Sequence, residues 1–87
     1  MTLTRYAQIL DRVVMSEAGW VCADKENVYM FVRRPVFVEE GKTSFRWEGA
    51  CGNKPVLITR YNPGDLDLSE FTDEDGDIDW SACRVKL

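Results

Sequence analysis

Apolar residues along positions 4–18 recur at helical spacing, with Tyr6, Ile9, Leu10, Val13 and Val14 on one side and Gln8, Asp11, Arg12 and Glu17 on the other. Thr4 offers an N-cap hydroxyl, and Gly19 ends the helix where a residue tolerant of positive φ is wanted. After Gly19 the pattern changes to β-branched and aromatic residues punctuated by turn chemistry. It predicts strands near 20–24, 27–34, 36–40, 43–48, 55–61 and 78–86. Asp24-Lys25-Glu26-Asn27 and Glu40-Gly41-Lys42-Thr43 read as hairpin turns, so neighbouring strands should pair antiparallel. Pro35 cannot donate to a ladder, and the run 28–40 must therefore bend, bulge or lie at an edge there. Positions 49–53 and Asn62-Pro63-Gly64-Asp65 read as loops, the second with proline then glycine at the centre of a turn. The expected fold is α+β: an N-terminal amphipathic helix packed on a mainly antiparallel meander of four to six strands, with an acidic C-terminal loop before a last strand.

With 87 residues the chain is expected to form a single domain, 1–87, because a second would leave neither half enough interior to offset the entropy of ordering it. Its 45% apolar content and three prolines place it away from disordered compositions. The longest uninterrupted apolar run, 28–32, is far short of the roughly 20 residues that cross a bilayer, so no membrane role is expected. Arg5, Asp11 and Arg12 interrupt the stretch where a signal peptide would be apolar, and a cytoplasmic location is the expectation. Cys22, Cys51 and Cys83 show no CxxC spacing and read as reduced, buried thiols.

Alternation along the strands suggests a sheet that is apolar on both faces. From position 28, one face shows Val28, Met30 and Val32, and the other Tyr29, Phe31 and Arg33. If the helix covers the aliphatic side, the other presents Tyr29, Phe31 and Arg33, joined by Arg46 and Arg60 from neighbouring strands, as a candidate binding surface. Alternatively, the acidic segment folds back across that face and pairs with its arginines. An exposed edge or aromatic face could also make a homodimer.

Charge is the strongest signal. Residues 65–79 carry Asp65, Asp67, Glu70, Asp73, Glu74, Asp75, Asp77 and Asp79, which is 8 of the 15 acids, and none of the 11 bases. A segment of charge −8 thus sits beside a body of charge +4, making the −4 of the chain. Leu66, Leu68 and Phe71 could form a turn of helix pinning this segment to the body. An EF-hand register that puts Gly76 at loop position six places Asp73, Asp75, Ile78 and Asp79 at positions three, five, eight and nine. Phe71 and Ala82 then fall where the first carboxylate and the closing glutamate belong. Asp73, Asp75, Asp77 and Asp79 are accordingly weak candidates for a divalent cation such as calcium, and no motif calls for a cofactor.

The chain contains no histidine, which removes imidazole-based Ser or Cys catalysis and the usual zinc ligand. An enzyme would have to rely on carboxylates, Tyr or Lys, for instance Asp75 and Asp77 holding magnesium, and the domain offers little depth for a water-excluding pocket. Binding without turnover is expected. The acidic residues would engage a basic protein partner, such as a nuclease or other nucleic-acid-binding complex, with Trp80 or Trp47 as a buried anchor. Carboxylates along a rigid element can stand in for a phosphate backbone. Small nuclease inhibitors, anti-restriction and anti-CRISPR proteins, and toxin-immunity proteins share these traits of size and acidity. The alternatives are a module that binds nucleic acid or protein through the aromatic and arginine face, and a calcium-binding domain. Net charge opposes direct nucleic-acid binding.

Overall fold

A computed structural model describes residues 1–14, 18–41, 44–49, 52–62 and 64–87. It contains one helix, α1 (Leu3–Val14), and strands β1 (Trp20–Ala23), β2 (Asn27–Phe31), β3 (Val36–Glu39), β4 (Phe45–Glu48), β5 (Leu57–Arg60) and β6 (Arg84–Lys86). Short 3-10 turns occupy Ser69–Phe71 and Trp80–Ala82. The fold is α+β, with every strand pair antiparallel. The strands do not form a continuous meander. Four of them make a sheet in the order β5-β2-β1-β6, and β3 and β4 make a separate two-stranded hairpin.

Helix α1 starts two residues earlier than its pattern suggested. Thr2 is the cap, its Oγ1 accepting the Arg5 N–H at 3.1 Å while its carbonyl accepts from Tyr6 at 2.9 Å. Thr4 lies inside the helix and donates to Glu70 Oε1 at 3.4 Å. The core-facing stripe is Leu3 and Ala7, fully buried, flanked by half-buried Tyr6 and Leu10, and it leaves Val13 on the solvent side, 74% exposed. Residues 15–17, including Glu17 of the predicted polar face, lie outside the described residues. Gly19 is not in the left-handed region. A Cβ there would lie 2.8 Å from the Val32 carbonyl oxygen, so close backbone approach, not positive φ, is what demands glycine.

The run that Pro35 interrupts does break. β2 ends at Phe31, and the chain leaves the sheet to begin β3 at Val36. Val21, Ala23, Val28 and Met30 pack with the α1 stripe and with Leu66, Leu68 and Cys83 on one side. On the other side Cys22 and Phe31 pack with Trp47, flanked by Trp20, Tyr29, Phe37 and Phe45. The hairpin is thus the cover of the aromatic face. Trp47 anchors it by donating its indole N–H to the Ala23 carbonyl at 2.8 Å. From β6, Arg84 adds a second tie. Its guanidinium lies 5.9 Å from the Trp20 ring and 5.8 Å from the Trp47 ring, and it donates to the Pro35 carbonyl at 3.0 Å.

The Asp24-Asn27 turn is organised by one carboxylate. Asp24 Oδ1 accepts from the Glu26 and Asn27 amides, and Oδ2 accepts the Tyr29 hydroxyl at 2.5 Å. The Asp24 carbonyl takes the Tyr61 hydroxyl. At the second predicted turn Gly41 has φ 100° and Glu40 N–H donates to Ser44 O at 2.8 Å, while Lys42 and Thr43 lie outside the described residues. Cys51 and Pro63 lie outside them as well.

Replacing Trp47 with Phe removes the indole donor from the hairpin-to-sheet contact. The expected cost is about 1–3 kcal/mol, read as a lower urea midpoint at unchanged m. Burial holds both described thiols protonated, pushing Cys83 up to about 12 and Cys22 higher still, and the Tyr29 hydroxyl is also raised to about 12, by burial and by its bond to Asp24. Each folded pKa lies above the unfolded one. The stability these groups contribute is therefore complete below about pH 9 and lost as the pH rises towards about 12. Thermal midpoints should fall across that window, and less steeply in a C22A/C83A variant.

Candidate binding site

The acidic segment is built by alternation. After a turn in which Asp65 N–H donates to Asn62 O at 2.9 Å, Leu66 and Leu68 point into the core while Asp65 and Asp67 point out. Its start is tied to the N-terminus, where Asp67 N–H donates to Met1 O and Thr2 bridges Asp67. Asp67 Oδ1 accepts the Ser69 N–H at 2.9 Å, a bond that lowers its pKa. Beyond the Ser69–Phe71 turn, Thr72 and Ile78 pair as an antiparallel bridge and close a small loop. Asp73 organises that loop: its Oδ1 accepts both the Asp75 and Asp77 amides at 3.0 Å, and Gly76 turns the chain at φ 85°. Asp79 N–H then bonds Phe71 O at 2.8 Å, and its side chain accepts the Ser81 hydroxyl at 2.5 Å.

All eight acids, Asp65, Asp67, Glu70, Asp73, Glu74, Asp75, Asp77 and Asp79, are exposed. Among the described residues none of them is ion-paired, since the ion pairs there join Arg46 to Glu40 and to Glu48. The backbone of the segment is docked while its carboxylates stay in solvent. The alternative in which the acids neutralise the arginines of the sheet is not what the structure contains.

Beside this segment lies a groove of about 710 Å³, walled by the β3–β4 hairpin on one side and by Asp73, Ile78, Asp79 and Trp80 on the other. Its aromatic residues come from distant parts of the chain. Phe45 stacks on Trp80 with centroids 5.5 Å apart and interplanar angle 28°, and Phe37 lies 5.0 Å from Phe45. Glu39 and Lys25 also line it. Trp80 is half-buried, at once part of the core margin and part of the groove. Trp47 is only 7% exposed, held by Ala23 and the hairpin, and is not open to a partner.

The second candidate surface is dispersed. Phe31 is 1% exposed beneath the hairpin, and the Tyr29 hydroxyl is occupied by Asp24. The Arg33 side chain is exposed, with its backbone clasped by Asn53, whose Oδ1 accepts the Arg33 N–H and whose Nδ2 donates to Arg33 O. Arg46 pairs with Glu40 and Glu48 on the hairpin, and Arg60 stands on edge strand β5. The arginines that meet the aromatic face are Arg34, 5.8 Å from the Trp20 ring, and Arg84. Two-residue alternation placed Tyr29 and Phe31 on one face of β2, but it did not gather Arg33, Arg46 and Arg60 there and could not show that a later hairpin would cover it.

Reasoning from sequence missed Phe37, Glu39, Phe45 and Lys25 as groove residues. The alternation Phe37-Val38-Glu39 and Phe45-Arg46-Trp47 was the available signal, but nothing local joins it to Trp80. Among the described residues no group of three or more His, Cys, Asp or Glu is arranged to hold a metal ion. Also among them, no helix is long and apolar enough to cross a membrane. Compared with known proteins, the chain matches no family model, no curated protein and no solved structure.

Because Asp73 already accepts two amides and the neighbouring carboxylates do not converge with it, calcium and magnesium at millimolar concentration should shift the thermal midpoint by the same small amount. A rise specific to calcium would instead identify a site among Asp73, Asp75, Asp77 and Asp79.

Proposed function

We propose that this protein is a small, non-enzymatic binding protein of the cytoplasm that engages a basic surface on a nucleic-acid-handling protein and occludes it. The observation carrying this reading is a row of eight exposed carboxylates, unpaired with any described base, on a backbone fixed by Leu66, Leu68 and a two-amide Asp73 turn. Such a row has already met the cost of ordering before a partner arrives. It steers encounter with a positive groove, whose usual ligand presents about one charge per 1.7 Å of duplex. The missing histidine supports occlusion over catalysis.

The test uses the tagged protein in nuclease-treated bacterial lysate at about 0.1 M and 0.5 M salt, where screening lengths differ roughly twofold. Captured proteins should be basic, should thin out at high salt and should be displaced by duplex DNA. The variant D73N/D75N/D77N keeps the Oδ1 acceptor of position 73, so it should retain its thermal midpoint and lose the captured proteins at least tenfold. Capture of the same proteins by that variant would sink the proposal.

A further inference from the structure

We infer that the groove between the β3–β4 hairpin and the acidic segment is a socket for an arginine side chain presented by the basic protein partner proposed above, a reading on which this inference rests. The volume of about 710 Å³ is ample for one extended side chain and falls within the usual range of ligand clefts. The lining joins two kinds of group that favour a planar cation. Trp80, Phe45 and Phe37 line the groove, Trp80 and Phe45 stacked on each other across the seam between hairpin and loop, so a cation would meet the outward side of that stack. Glu39, Asp73 and Asp79 supply carboxylates from both walls. A guanidinium can lie on an indole and offer its N–H fork to a carboxylate at the same time. A lysine ammonium is a compact, strongly hydrated charge and gains less from the rings.

Lys25 sets a charge test of the same groove. It projects from the β1–β2 turn, is exposed, and lines this groove and two adjoining clefts. Among the described residues it is in no ion pair, although acids stand on both walls. Lys25 therefore lowers the negative charge of the socket without filling it. Removing its charge should strengthen binding of a cation, whereas removing Glu39 should weaken it. Neither residue belongs to the acidic segment or to the buried core, so both variants leave the fold and the carboxylate row in place.

The experiment is a titration of the full chain with N-acetyl-arginine amide and, separately, N-acetyl-lysine amide, followed by ¹H–¹⁵N NMR. The Trp80 indole N–H is the reporter and the buried Trp47 indole N–H the internal control. Saturable shifts at Trp80 and the backbone of Phe45 are expected, with arginine at least about threefold tighter than lysine. K25Q should tighten arginine binding by about two- to fivefold, and E39Q should weaken it by a similar factor. Equal binding of the two amides, shifts spread evenly over residues 65–79, or indifference to both variants would overturn the socket. If those results appear while basic proteins are still captured through the acidic row, the socket alone is wrong. If arginine saturates Trp80 but no basic protein is captured, the reading of the partner is what fails.

Discussion

A sheet that is apolar on both faces must be covered on both, and among the described residues there is a single α-helix with which to do it. The second cover is made from its own β-structure. After Phe31 the chain leaves the sheet, and β3 and β4 return beyond Pro35 as a hairpin whose Trp47 inserts against Cys22 and Phe31 and reaches back to the Ala23 carbonyl. Burying an aromatic body while satisfying its one polar atom makes this contact specific as well as apolar, because a buried indole N–H left without an acceptor costs about 1–3 kcal/mol, more than the net contribution of its hydrogen bond. Gly19 serves the same arrangement. Its amide donates to Phe31 O, its carbonyl accepts from Leu87, and its bare Cα lets the Val32 carbonyl lie close where the chain turns out of the sheet.

The helix side of the sheet is likewise closed by two pieces, and the second of these is the acidic segment. Leu66 and Leu68 complete the core around Leu3, Ala7 and Cys83. The same period-two geometry that drives them inward drives Asp65 and Asp67 outward. The acids are therefore not a tail appended to a finished domain, and the positions of Asp65 and Asp67 are set by burial of the leucines between and beside them. Within the 73–77 loop the turn is held by amides accepted on Asp73, so order there does not depend on pairing the charges with lysine or arginine. Like charges this dense repel, but exposure to water and salt keeps the repulsion small.

The helix, the antiparallel pairing, the break ahead of Pro35 and the Asp24-Asn27 turn were legible because each has a local cause: a period, a turn residue or a missing donor. Errors arose where several local solutions were equally good. Thr2 and Thr4 are both capping residues with an apolar stripe ahead of them. Leu3 and Ala7 prevail because starting at Thr2 puts Leu3, Tyr6, Ala7 and Leu10 on the sheet, at the expense of Val13. The placement of β3 and β4 was not legible at all, because alternation tells which residues share a face and not which sheet a strand joins. The acidic row could be read directly from sequence, but the groove beside it could not, since Phe45 and Trp80 meet across 35 positions of chain.

The groove is a consequence of the two-cover solution. A hairpin lying on one face and a loop wrapping from the other meet along an open seam, and the seam's walls inherit the composition of the elements that form it: aromatic and acidic from the hairpin, acidic and aromatic from the loop. Trp80 belongs to both sides of that seam, packing on the core margin while stacking on Phe45. Any ligand that draws Trp80 and Phe45 onto itself also strengthens the contact between hairpin and acidic loop. Binding at the seam and stability of the fold are thereby linked in the direction that mass action requires, with the occupied protein the harder one to unfold.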